Sequence, residues 1–228
     1  NRTGSCVICE PMGQTADNYR RIRESLPPEV SLVVAAKGRR LEELRDVVRA
    51  GARLLGENYV QEAERHYSEL GDVARQVQWH LIGHLQRNKV SRALSLFDRF
   101  QSVDSARLAR AISERAVKPV PVLIEINIAG ESSKHGIPPE AAQELVALAG
   151  GLANLRVEGL MTMEPYMEDP EGARPYFRRM RRLFEEIKAA VENVEMKTLS
   201  MGMSNSYRVA IEEGANMVRV GTAIFGPR

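Results

Sequence analysis

Lys37 follows five uninterrupted apolar residues, Leu32 to Ala36, and precedes Gly38. A short valine-rich run closed by glycine is the pattern of a parallel strand buried on both faces. The lysine then stands at the carboxyl end of that strand, where α/β folds gather their chemistry. An amine held there can shed solvent and attack a carbonyl to form a Schiff base. Two later segments, Gly202-Met203-Ser204 and Gly221-Thr222, have the composition of an anion cradle. Glycine lets backbone N–H groups approach a phosphate, hydroxyls donate to it, and a helix starting at Ser204 would favour the anion further. One amine opposite one phosphate pocket suits pyridoxal 5′-phosphate. Arg219 lies two residues before Gly221, so its side chain shares that strand face and can reach toward a pyridine nitrogen.

These groups need a scaffold that brings distant strand ends together. After the stretch 31–37 the chain repeats apolar strand, short loop and amphipathic helix. Further strands are expected at 53–56, 78–82, 99–103, 121–128, 155–161, 197–201 and 216–220. Helices are expected at 18–26, 41–50, 60–70, 88–96, 106–117, 138–148, 171–191 and 204–213, after an irregular segment at 1–14. Eight strands alternating with helices predict an α/β protein, a single-domain (β/α)8 TIM barrel spanning residues 1–228. No G-x-G-x-x-G follows the first strand, which weighs against a dinucleotide-binding open sheet. The helix before the first strand is expected to close the ring. The barrel mouth would collect Lys37, Glu57, Asn58, His80, Asp104, Asn127, Met163, Ser204, Arg219 and Thr222.

The 228 residues are 43% hydrophobic and 27% charged, with a net charge of +2. That balance exerts no general pull toward nucleic acid or a membrane surface. No apolar run approaches the roughly 20 residues a membrane helix needs. Two cysteines make no disulfide framework. A cytoplasmic location is expected.

Several spaced segments resemble the pyridoxal phosphate homeostasis protein family, single-domain relatives of the alanine racemase barrel with the type III pyridoxal-phosphate fold. They are Gly-Glu-Asn-Tyr-Val-Gln-Glu at 56–62, Trp-His-Leu-Ile-Gly-His-Leu-Gln-Arg-Asn-Lys at 79–89 and Ser-Val-Asp-Ser at 102–105. Glu-Ser-Ser-Lys-His-Gly at 131–136 and Gly-Leu-Met-Thr-Met at 159–163 follow, then Leu-Ser-Met-Gly-Met-Ser at 199–204 and Val-Arg-Val-Gly-Thr-Ala-Ile-Phe-Gly at 218–226. The resemblance implies that Lys37 carries the cofactor's Schiff base and that Ser204, Gly221 and Thr222 bind its phosphate. It also implies Arg219 near the pyridine nitrogen and Asn58 near the ring. Two positions depart from the family pattern. Ser-Lys-Thr-Lys-Pro is Ala36-Lys37-Gly38-Arg39-Arg40 here, and the acid two places after the phosphate serine is Ser206.

The resemblance implies a role in vitamin B6 and amino-acid homeostasis, with the cofactor held for delivery to apo-enzymes rather than used on a substrate. An arginine at the ring nitrogen makes a poorer electron sink than a carboxylate partner. The alternative is a low-activity amino-acid racemase or aldolase. Racemases of this barrel type carry a second β-domain across a dimer. This chain ends at Arg228, so a monomer is expected. Other motifs attract less chemistry. Cys6-x-x-Cys9 lacks a second ligand pair for zinc. His80 and His84 lie in a strand and loop rather than on one helix face, so no metal is expected there. Arg178 to Arg182 reads as a solvated helix face with Arg181–Glu185 and Arg182–Glu186 pairs. Lys134 is a second mouth amine, able to bind an anion or serve as a transfer point.

Overall fold

In the computed structural model, residues 13–227 are described. Eight parallel strands close into a barrel in chain order. They are β1 Ser31–Ala35, β2 Leu54–Glu57, β3 Gln78–Leu81, β4 Arg99–Val103, β5 Val120–Ile126, β6 Leu155–Thr162, β7 Thr198–Ser200 and β8 Met217–Val220. The ring closes where Ser31 to Val34 pair with Met217 to Val220. The helices are α1 Gln14–Ser25, α2 Leu41–Arg49, α3 Val60–Leu70, α4 Val90–Leu94, α5 Ala106–Arg115, α6 Ala142–Gly150, α7 Arg174–Ala190, α8 Tyr207–Glu212 and α9 Thr222–Phe225. None is long and apolar enough to cross a membrane.

The strands are buried on both faces, and the two faces meet different surroundings. Leu32, Val34 and Ala36 join the outer core with Leu44, Val47 and Val48 of α2, whose i, i+3, i+4 spacing makes one stripe. Each such aliphatic side chain contributes about 1.5–3 kcal/mol by leaving water. Val33, on the opposite face of β1, meets Ile82 and Met217 inside the barrel. Gly159 marks a bulge in β6. The β5–β6 register runs Val122↔Val157 and then Leu123↔Gly159, leaving Glu158 as the extra residue. Gly159 has φ 151°, and a Cβ there would lie 1.8 Å from the Thr198 carbonyl oxygen, so only glycine fits. The Glu158 carboxylate is buried among Arg99, Arg156 and Lys197. Burial alone would raise its pKa; the hydrogen bond from Arg156, the charge of Arg99 and the bond from Lys197 hold it below the usual range.

Several expected elements shift. The first helix starts at Gln14, so the irregular segment expected at 1–14 ends sooner; residues 1–12, with Cys6 and Cys9, lie outside the described residues. The helix expected at 88–96 is a 3₁₀ turn, Arg87–Lys89, leading into the five-residue α4. Likewise a 3₁₀ turn, Pro139–Ala141, precedes α6. The 3₁₀ stretch Gly71–Gln76 and the closing turn α9 were not anticipated. Asn18 of α1 donates to the Ile224 carbonyl at 2.9 Å, seating α1 against α9. On α7 the Arg181–Glu185 pair forms at 2.6 Å, whereas Arg182 and Glu186 make no ion pair among the described residues. Arg178 turns instead to Glu213, and Arg179 to Glu140.

Candidate functional site

Lys37 extends one turn beyond β1 and is half-buried, its Nζ 5.1 Å from the centroid of the Tyr59 ring. The residues that depart from the family pattern anchor this turn. The Gly38 amide donates to Glu62 of α3 at 2.6 Å. Arg39 is buried over the Phe225 ring and donates to the Gly226 carbonyl at 2.8 Å. The Arg40 amide donates to Glu43 of α2 at 2.8 Å. Gly221 sits beside this turn, because a Cβ on it would approach Ala35 to 3.3 Å.

The loops after β7 and β8 meet at one oxygen. The Gly221 and Ala223 amides donate to Ser204 Oγ at 3.2 and 3.1 Å. Ser204 does not begin a helix. A turn intervenes, with Ser206 and Tyr207 amides donating to the Met203 carbonyl, and α8 starts at Tyr207 with only six residues. The convergence of donors therefore comes from backbone amides rather than from a helix N-terminus. Thr222 is exposed at the start of α9. Ser206 hydroxyl donates to Glu164 Oε1 and accepts from the Met203 amide. Glu164, on the loop after β6, brings a buried carboxylate to the turn where the resemblance implies an acid in place of Ser206. Nothing in the spacing of Glu164 foretold that contact.

Arg219 is enclosed within the barrel. Its Nη1 donates to Ser200 Oγ at 2.7 Å and its Nη2 to the Thr162 carbonyl at 2.6 Å. Burial pulls its pKa down, opposed by the charges of Glu164 and Glu125. From Ser200 a directed chain continues inward: Ser200 Oγ donates to Gln101 Oε1 at 2.7 Å, and Gln101 Nε2 donates to His80 Nδ1 at 2.9 Å. His80 must therefore carry its proton on Nε2. It is 1% exposed, and desolvation, with the charge of Arg99, lowers its pKa to about 3. His80 is thus an interior strut rather than a mouth residue. Its place on β3 between Trp79 and Leu81 hid this, since both faces of the strand are buried.

Glu57 also leaves the mouth. As the last residue of β2 it points outward beneath α3, where its Oε1 meets His66 Nδ1 at 2.6 Å in a fully buried pair. Burial raises its carboxyl pKa, opposed by the hydrogen bond and charge of His66. Its neighbour Asn58 is half-buried and lines a cavity of about 410 Å³ that continues across the mouth to His84, Glu125, Lys134, His135 and Met163. Lys134 donates to the Glu164 carbonyl at 2.8 Å and lies 3.4 Å from Glu131, so its charge is engaged within the loops. Asn127 stitches the same segment by donating to the Glu131 carbonyl at 2.8 Å. Glu125, missed in the sequence, is buried with its pKa pushed up to about 7 by desolvation and the nearby Asp104 charge, against the pull of Arg219.

The lysine, the convergent amides and the buried arginine thus come from β1, β7, β8 and the residues that follow them, neighbours in the ring, with Asn58 just after β2 beside them. A model of the alanine racemase N-terminal domain matches residues 12–228. The pyridoxal phosphate homeostasis protein of Aquifex aeolicus is 44% identical, covering 96% of this chain and 92% of its own. The chain belongs to the pyridoxal phosphate homeostasis protein family. The Escherichia coli member is 35% identical, with 95% of this chain and 98% of its own covered. Among solved structures similar to this family member is PipY of Synechococcus elongatus with PLP bound. It has a TM-score of 0.87 and 31% identity, over 93% of this chain and 100% of PipY. Alanine racemase of Clostridium difficile has a TM-score of 0.75 at 16% identity, over 94% of this chain and 56% of the racemase, a likeness of fold alone.

Proposed function

We propose that this chain binds pyridoxal 5′-phosphate at the ends of β1, β2, β7 and β8 and holds it for other enzymes rather than catalysing a reaction of its own. The observation that carries the reading is the meeting of the Gly221 and Ala223 amides on Ser204 Oγ, beside the turn that bears Lys37. Two neighbouring amides after β8, already aimed at one hydroxyl oxygen from the loop after β7, fit the oxygens of a phosphate monoester. Bound there, the cofactor supplies a reactive aldehyde and an electron-accepting ring. Lys37 presents the amine that meets the aldehyde, and Ser204, Gly221 and Thr222 hold the phosphate. Arg219, pinned by Ser200 and Thr162, would meet the ring nitrogen as a cation, and Asn58 would flank the ring. A cation at that nitrogen keeps it from gaining a proton, which restrains carbanion chemistry and suits storage. The matched relatives over nearly full length bear the homeostasis name, and the racemase likeness is of fold.

Replacing Ser204 with alanine and Thr222 with valine separates phosphate recognition from the rest of the site. Hydrogen bonds to a charged group contribute about 1.5–3 kcal/mol each, so each change is expected to weaken pyridoxal 5′-phosphate roughly tenfold or more. Pyridoxal, which lacks the phosphate, is expected to bind nearly as before. Titration of both ligands by absorbance reads the contrast, and equal weakening of the two would place the phosphate elsewhere.

A further inference from the structure

We propose that a second site, on the β3–β5 side of the mouth, binds a divalent transition-metal ion of the zinc class through His84, Asp104 and His135. The three come from the loop after β3, the residue following β4 and the loop after β5. His84 Nδ1 lies 3.0 Å from Asp104 Oδ2, and the His84 and His135 rings stack with centroids 4.2 Å apart at 12°. The three candidate ligand atoms all lie within 4.8 Å of one another. Ligands about 2.0–2.1 Å from a tetrahedral ion stand roughly 3.4 Å apart, so closing the widest gap by up to about 1.4 Å and opening the His84–Asp104 pair slightly would complete the site. Both imidazoles are exposed and have room to turn.

A separate observation points to the same place. Glu125 is 5% exposed and lines the cavity shared with His84 and His135, yet its Oε2 has no hydrogen-bond partner among the described residues. A carboxylate oxygen buried without a donor is costly, and the negative charge of Asp104 acts on the same carboxyl. An ion on His84, Asp104 and His135 would offset both: three protein ligands leave a position for water, and Glu125 would accept from that water. The loop lysine does not supply this charge, since the Lys134 ammonium turns to Glu131 and the Glu164 carbonyl. Two imidazoles with one carboxylate suit zinc, cobalt or nickel, whereas calcium and magnesium take all-oxygen shells. The pairing of His80 with His84 weighed in the sequence is not the site, because His80 is committed to Gln101 within the barrel.

The test is a titration of the chelator-treated, cofactor-free full chain with Co²⁺, followed by visible absorbance, with Zn²⁺ added as competitor. One saturable Co²⁺ per chain, displaced by Zn²⁺, is expected. His84→Ala and His135→Ala should each weaken it at least about tenfold, as loss of even an outer partner of a metal ligand does. Both side chains are exposed, so circular dichroism should show these variants folded. A Cys6→Ser, Cys9→Ser chain should bind as the unchanged one does. Absence of saturable binding, retention of full affinity in both histidine variants, or loss of binding with the cysteines would overturn the proposal.

Discussion

Replacing Lys37 with alanine is expected to abolish covalent attachment of pyridoxal 5′-phosphate while leaving the barrel folded. Covalent capture requires a primary amine beside the phosphate cradle, and Lys37 lies two residues beyond Ala35, which Gly221 adjoins across the β1–β8 seam. The residue lies beyond the end of β1 and outside the layers that pack the barrel interior, so little core is lost. Its cation–π contact with the exposed Tyr59 contributes about 0.5–1 kcal/mol, too little to unfold a domain. The cradle of Ser204, Gly221 and Ala223 remains, so weak non-covalent binding should persist. Borohydride reduction followed by intact mass measurement checks this. A pyridoxyl adduct at an unchanged level in Lys37→Ala would move the attachment to another lysine, with Lys134 the first to examine.

Acid is expected to destabilise this barrel through His80. In the folded chain the imidazole is neutral, fixed as acceptor to Gln101, and its pKa is about 3. An unfolded histidine titrates near 6.5. The folded pKa is the lower one, so the contribution to stability is complete above pH 6.5. It is lost progressively as the pH falls from 6.5 toward 3. At 1.36 kcal/mol per pH unit the loss reaches roughly 3 kcal/mol by pH 4.5. His80→Gln keeps an acceptor for Gln101 but cannot gain a charge. Urea unfolding across this range should show the unchanged chain losing about 3 kcal/mol relative to the variant, with parallel behaviour above pH 7. Parallel curves throughout would mean that His80 is not held neutral. The effect bears on function, because the same chain of hydrogen bonds ends on Arg219.

Strand order and the gathering of the candidate-site residues at one end of the barrel were legible for a simple reason. Runs such as Leu32 to Ala36 and Val122 to Ile124 are apolar enough to demand burial on both faces, and amphipathic helices separate them. That same double burial conceals orientation. In β3, Trp79, His80 and Leu81 are all buried, so nothing in the alternation tells which face is the barrel interior. Glu57 and Asn58 are adjacent, yet one lies under α3 and the other at the mouth, a difference of a single step in strand parity. Ser204 had the composition of a helix cap, but the turn through Met203 and Ser206 delays α8 until Tyr207. Glu164, Glu125 and the His84–Asp104–His135 group were invisible because only closure of the ring brings those loops together.

Cofactor transfer tests most directly whether this protein is a carrier. Holo-protein would be mixed with an unrelated apo-enzyme in the presence of a scavenger for free pyridoxal 5′-phosphate, and recovery of that enzyme's activity followed. The expected result is recovery beyond that from an equal amount of free cofactor under the same scavenger, with no appreciable turnover of amino acids by the holo-protein alone. Failure to exceed the free-cofactor control would contradict delivery. Racemase or aldolase turnover by the unmodified protein at ordinary enzymatic rates of about 1–10³ per second would contradict the carrier reading itself.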